Sequence, residues 1–145
     1  MSVRTWFRRI GGRWGVWMYR RSAGRAMTST KAPRVLLLTT PGRRTGEPRS
    51  TCVAFLEHDG GYVVWGTGSG ARHDPQWFRN LRAAPQTQVQ VLDRRFTATV
   101  HEYVGAERDA VWTDVITARV PGVRRYATKA GRTIPVAILR PIRSQ

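Results

Sequence analysis

The chain has 145 residues, 41% of them hydrophobic, which suits one domain with a single core. Lys and Arg number 25 against 9 acidic residues, a net charge of +16, so the expected partners are polyanions: nucleic acid, anionic lipid, or a phosphorylated or polycarboxylate ligand. The single cysteine, Cys52, excludes an internal disulfide and suits a reducing cytosol, and no apolar stretch is long enough to span a bilayer.

Seven arginines fall in the first 25 residues, and eleven basic residues precede the first acidic one, Glu47. Between them Val3, Phe7, Ile10, Trp14 and Trp17 recur at helical spacing, with Trp6, Met18 and Tyr19 widening the face. The segment 1–30 therefore reads as a basic, aromatic-rich amphipathic helix attached to a domain of residues 31–145. Such a helix, over residues 1–25, can lie against an anionic membrane, pack its tryptophans on the domain, or meet nucleic acid. The matching location is cytoplasmic, with peripheral contact on the inner face of the cell membrane as the extension of that reading.

From Ala32 the pattern changes to short strands. Residues 34–39 and 51–56 read as two buried strands, joined by a loop from Thr39 to Cys52 that carries Arg43, Arg44 and Arg49. Pro41-Gly42 and Thr45-Gly46 fold that loop tightly, so its guanidinium and N–H groups either converge on a multiply charged anion or point into water. Residues 57–61 supply turn chemistry before Tyr62–Trp65, which predicts a hairpin between the second and third runs. The loop Gly66-Thr67-Gly68-Ser69-Gly70-Ala71 lacks the glycine spacing of a dinucleotide fingerprint, but it lets a ligand approach the backbone closely.

Asp74 is expected to cap a helix with Pro75 at its first position, Trp77, Phe78 and Leu81 on its apolar face, and Ala84-Pro85 at its end. Residues 87–92 and 96–103 read as strands around Asp93-Arg94. Residues 106–119 read as a helix with Val111, Val115 and Ile116 inward. An irregular basic segment containing Tyr126 follows, then a last strand over residues 134–139. Five or six strands with few helices, mostly joined by hairpins, predict an α+β domain on a small antiparallel barrel.

Ordinary catalytic constellations are missing. His58, His73 and His101 lack metal-ligand spacing, no nucleophile elbow occurs, and carboxylates are scarce, which predicts no metal. Such a chain either binds without catalysis or takes its chemistry from a cofactor.

The residues Leu36–Gly46, Arg49-Ser50-Thr51, Gly66–Gly70, Pro75–Leu81 and Arg132–Pro135, with Tyr19-Arg20-Arg21 near the start, resemble the deazaflavin-dependent nitroreductase family in order and approximate spacing. The resemblance covers roughly residues 14–140. It implies a split β-barrel related to flavin reductases, and an actinobacterial oxidoreductase that uses coenzyme F420, a flat deazaflavin bearing a phosphodiester and an oligoglutamate tail. It further implies hydride transfer to a quinone, with nitroaromatic reduction as a second activity.

By the same resemblance Arg43, Arg44, Thr45 and Arg49 match the basic loop that takes phosphate and tail, and Thr51, Cys52 and Val53 match the strand beside the ring. Many relatives have proline where Cys52 stands. Ser69, Gly70 and Ala71 match the loop that closes over the cofactor; Pro75, Trp77 and Asn80 match the helix beside it. Tyr126 matches a tyrosine on the substrate side of the deazaflavin. Two alternatives accompany this reading: an FMN- or heme-type ligand or conjugated-carbonyl reduction in the same barrel, and a basic nucleic-acid-binding module. With coenzyme F420 as the polyanion, no specific nucleic acid is expected.

Overall fold

The computed structural model describes residues 13–22 and 34–142. Helix α1 (Arg13–Ser22) precedes strands β1 (Val35–Pro41), β2 (Pro48–Ala54), β3 (Leu56–His58) and β4 (Gly61–Trp65). Helix α2 (Gln76–Ala83), strands β5 (Gln86–Val91) and β6 (Arg94–Tyr103), helices α3 (Gly105–Val111) and α4 (Val123–Ala130), and strand β7 (Val136–Pro141) follow. The seven strands form one sheet in the order β2-β1-β5-β6-β7-β4-β3, with every pairing antiparallel.

Seven strands replace the five or six expected because the run 51–56 is two strands. It breaks at Phe55, whose N–H donates to the Arg34 carbonyl at 3.0 Å and whose ring meets Tyr62 edge-on at 5.4 Å. Up to Ala54 the chain pairs with β1; from Leu56 it pairs with β4, so the predicted hairpin forms only through residues 56–58. The two edge strands of the sheet are thus joined by a single residue. A sheet whose edges are covalent neighbours must curl back on itself, which makes the split barrel.

The concave face buries Leu36, Leu38, Val53, Phe55, Val64, Val89, Val91 and Leu139, and α2 plugs it with Phe78 and Leu81. Each such side chain, taken fully from water, contributes about 1.5–3 kcal/mol before entropy is counted. On the convex face, Val63, Trp65, Tyr103, Val136 and Ile138 are covered by Val111, Val115, Ile116, Val123 and Ala130.

The expected helix 106–119 begins at Gly105 and passes through a π-helical turn (Trp112–Ile116), with Val111, Val115 and Ile116 buried as expected. The segment expected to be irregular is α4. Its apolar positions Val123, Ala127 and Ala130 are spaced for a helix, and Gly131 ends it in the left-handed region at φ 64°. The final strand lies two residues later than expected, at Val136–Pro141.

A second patch of the convex face, Val35, Leu37 and Cys52, lies under α1. Tyr19, fully buried, accepts a hydrogen bond from the Leu92 N–H at 3.0 Å, and its hydroxyl lies 3.0 Å from the carbonyl oxygens of both Val35 and Gln90. That contact braces the β5–β6 turn, where Leu92 has a φ of 55°. Val16 joins Tyr19 over Val35, Leu37 and Cys52. Among the described side chains of α1, Val16 and Tyr19 are the ones docked on the sheet, and Trp17 is 56% exposed. Val3, Trp6, Phe7 and Ile10 lie outside the described residues.

Candidate functional site

The β1–β2 connection is tighter than expected. Thr39–Pro41 and Pro48–Cys52 belong to the ladder, with Thr40 opposite Arg49, so the loop itself is residues 42–47. The Gly46 N–H donates to the Gly42 carbonyl and the Gly42 N–H to the Glu47 carbonyl, both at 2.8 Å, and Gly46 takes a φ of 76°. Arg43 and Arg44 project from this turn, while Arg49 projects from a strand. The Arg49 Nε lies 3.5 Å from where a Cβ on Gly42 would stand, which brings strand and loop arginines to one patch.

Helix α2 forms the opposite wall. Between them lies a cleft of ≈ 480 Å³ lined by Thr40, residues 42–45, residues 49–51, Gln76, Trp77 and Asn80. That volume suits a small-molecule ligand. Its arginines have unequal duties. Arg43 donates its N–H to Asn80 Oδ1 at 3.2 Å, its Nη1 to the same oxygen at 2.8 Å, and its Nη2 to Gln76 Oε1 at 2.7 Å. It staples the loop to α2. Arg44 is exposed, with no hydrogen-bond or ion-pair partner among the described residues. Among the described residues Arg49 has only Glu47, at 3.9 Å with both side chains mostly in water, an interaction worth little. Two guanidinium groups therefore stay open to an anion beside the half-buried Trp77, a donor set that fits a ligand with an acidic handle and a flat apolar part.

Of the residues singled out in the sequence, Arg43, Arg44, Thr45, Arg49, Thr51, Trp77 and Asn80 line this cleft. Cys52, Val53, Ser69, Gly70, Ala71, Pro75 and Tyr126 do not. Cys52 points to the convex face, packed with Val16 and Tyr19, and burial pushes its thiol up to about 12. Val53 faces the barrel core. The glycine loop packs on α4 rather than on the β1–β2 loop: a Cβ on Gly70 would lie 2.6 Å from Lys129 Cδ. Tyr126, half-buried, rides on that same helix.

Asp74 does not cap α2. Pro75 occupies the cap position without a side-chain bond, and Asp74 accepts instead from Arg132 Nη1 at 2.7 Å and Arg82 Nη2 at 3.0 Å. Arg82 also grips both oxygens of Glu102, at 2.8 and 3.0 Å; those hydrogen bonds, chiefly to Glu102, raise its pKa. Arg132 and Gln76 were not singled out by sequence reasoning. Arg132 stood within the Arg132–Pro135 motif and Gln76 within Pro75–Leu81, the signals available for them. Among the described residues no group of three or more His, Cys, Asp or Glu is placed to hold a metal. No helix among them is long and apolar enough to cross a membrane.

Residues 11–141 match the sequence model of a family described as F420H(2)-dependent quinone reductase. An F420H(2)-dependent quinone reductase of Mycobacterium tuberculosis strain H37Rv is 29% identical over 110 residues, 74% of either chain. A solved F420-H2-dependent reductase, FDR-A, superposes with a TM-score of 0.64 at 31% identity, covering 73% of this chain and 93% of that one. The heme storage protein HutZ of Vibrio cholerae, at 18% identity and a TM-score of 0.53 over 90% of this chain, shares the fold alone. With a family match across nearly the whole length, laid over a split barrel and an arginine-rimmed cleft, the chain belongs to the F420H(2)-dependent quinone reductase family and is an oxidoreductase that uses coenzyme F420.

Proposed function

We propose that the cleft between the β1–β2 loop and α2 holds coenzyme F420, with Arg44 and Arg49 on its acidic groups and Trp77 beside its apolar part. The observation that carries this is the pair of uncommitted guanidinium groups at the rim of a cleft of ≈ 480 Å³. Reduced coenzyme F420, when bound, supplies a hydride to an electron-poor acceptor, here a quinone, with nitroaromatics as further acceptors. Asn80 and Gln76 hold Arg43 in place so that the loop meets the ligand already shaped. Thr45 and Thr51 offer hydroxyls from loop and strand, and the backbone at Cys52 and Val53 continues that wall. Pro75 starts the helical wall opposite.

On the open side Ser69, Gly70 and Ala71 exclude water, which strengthens the electrostatic contacts inside. Tyr126 Oη donates a hydrogen bond to the acceptor oxygen on which negative charge develops. The direct test is oxidation of reduced coenzyme F420 by menadione in the presence of the protein, beside a deazaflavin-fluorescence titration. Failure of both removes the proposal. Tyr126→Phe is expected to lower turnover with the dissociation constant unchanged; equal turnover removes Tyr126 from the reaction.

A second reading concerns location. The segment 1–30 serves as a peripheral contact with anionic lipid, a role favoured by Trp17, 56% exposed beside Arg21, whose guanidinium lies 5.6 Å from the indole centre. Co-sedimentation with anionic but not zwitterionic vesicles, reduced in Trp17→Ala, is the expected result. Equal recovery with both vesicle types refutes it.

A further inference from the structure

We infer that Arg132 is a positioning residue for the reaction: it fastens the loop Gly66–Ala71 to the end of α4 and so fixes the open side of the proposed site. The inference rests on the proposed reading, in which that loop and Tyr126 border the bound cofactor and acceptor.

The loop has little to hold it by itself. Gly68, Ser69 and Gly70 all have positive φ, at 56°, 55° and 89°, and its own backbone bonds are Gly70 N–H to Thr67 and Ala71 N–H to Gly68. From outside, the Gly66 N–H donates to the Pro135 carbonyl at 3.0 Å, and one guanidinium supplies most of the rest. Arg132 donates from Nη2 to the Gly66 and Thr67 carbonyls at 3.0 and 3.1 Å, from Nε to the Ala71 carbonyl at 3.0 Å, and from Nη1 to Asp74 at 2.7 Å. Both ends of the loop thereby close on a side chain that is only 15% exposed. The planar fork, with five N–H donors, can span these acceptors; a lysine ammonium, a point charge on a mobile stem, cannot.

The clamp is anchored on three sides. Asp74 is held in turn by Arg82, and Arg82 by Glu102 on β6, so the chain of charges ends in the barrel wall. Arg132 directly follows Gly131, the left-handed residue that stops α4. The Lys129 stem on α4 lies over Gly70, where an added Cβ would stand 2.6 Å from Lys129 Cδ. Moving Arg132 therefore shifts the loop together with the helix that carries Tyr126. A purely structural arginine would weaken the whole fold and leave the site of the surviving folded molecules unchanged.

The experiment uses the full chain with Arg132→Ala, Arg132→Lys and Asp74→Asn. Amide hydrogen exchange is followed without cofactor, coenzyme F420 affinity by deazaflavin fluorescence, and turnover with menadione. In Arg132→Ala, exchange in residues 66–71 is expected to quicken roughly tenfold or more while β5 and β6 keep their protection. The dissociation constant rises and turnover falls. Arg132→Lys regains the unfolding midpoint but neither the loop protection nor the turnover, and Asp74→Asn shows a smaller change of the same kind. Unchanged affinity and turnover in a folded Arg132→Ala protein would overturn the assignment, as would faster exchange spread evenly over the barrel. Absence of coenzyme F420 binding by the unaltered protein would instead overturn the proposed reading; the exchange measurement, which needs no cofactor, keeps the two failures apart.

Discussion

Replacing Asn80 by alanine tests whether the arginine loop is shaped in advance of its ligand. Asn80 is 7% exposed, and its one carbonyl oxygen accepts from both the backbone and the guanidinium of Arg43. A charge-assisted bond is worth ~1.5–3 kcal/mol and a neutral one ~1 kcal/mol, but Arg43 is half-buried and water takes over part of the loss, leaving ~1–2 kcal/mol of stability. With a urea slope of ~2 kcal/mol per molar, the unfolding midpoint falls by ~0.5–1 M. The released guanidinium must then be ordered again on binding, at ~0.5–1.5 kcal/mol for one long side chain, which weakens coenzyme F420 about two- to tenfold. The assay is a fluorescence titration at a urea-free temperature where the variant is fully folded. An unchanged dissociation constant beside a lowered midpoint would refute the reasoning: the staple would then serve the fold and not the site.

Arg44→Ala and Arg49→Ala each remove one uncommitted charge and are expected to weaken coenzyme F420 by ~1.5–3 kcal/mol, about tenfold or more, with unfolding midpoints unmoved; equal affinity would show that they face water in the complex as well. Tyr19→Phe leaves the Leu92 N–H, and whichever of the Val35 and Gln90 carbonyls takes the hydroxyl proton, without a buried partner and is expected to cost ~1–3 kcal/mol of stability, read as a shift in the denaturation midpoint. The Cys52 thiol, raised from 9.0 to about 12 by burial, keeps its proton in the folded chain where the unfolded chain releases it. Stability present below pH 9 is therefore lost as pH climbs toward 12, and Cys52→Ala is expected to flatten that decline by up to ~1.4 kcal/mol per pH unit. Tyr19 is also raised, by burial first and in part by the neighbouring Cys52 thiolate, so the difference between the two slopes reads the coupled pair and not Cys52 alone.

The parts of the fold legible in the sequence were those whose cause is local. The presence of β5 and β6 and the inward set Val111, Val115 and Ile116 follow from residue spacing alone. What stayed hidden depends on distant partners. Nothing in the run 51–56 marks Phe55 as the point where the chain leaves β1 for β4; that is decided by a carbonyl and a ring brought in from elsewhere. Asp74 has the type and position of a helix cap, yet two arginines, 8 and 58 residues away in the chain, draw its carboxylate off. Helix α4 offers only a thin apolar stripe among basic residues, and Gly131 was its one visible stop signal. In the site, three arginines in one loop suggested three equal ligands, because spacing carries no information about Asn80 and Gln76 waiting across the cleft.

Charge alone does not mark the site. With 9 acidic residues for 25 basic ones, most cations of this chain must lack a carboxylate wherever they sit, so an unpaired arginine is the common case. What separates Arg44 and Arg49 from the rest is position. They stand at the rim of a cleft whose far wall holds a half-buried tryptophan, and their neighbour Arg43 is tied down by neutral amides that leave the local positive charge undiminished. A surface evolved for diffuse contact with nucleic acid gains from every exposed cation and has no use for a shaped cavity beside two of them. Salt therefore distinguishes the two uses: diffuse attraction collapses at moderate ionic strength, whereas a ligand gripped by an arginine fork and enclosed against an aromatic wall keeps most of its affinity.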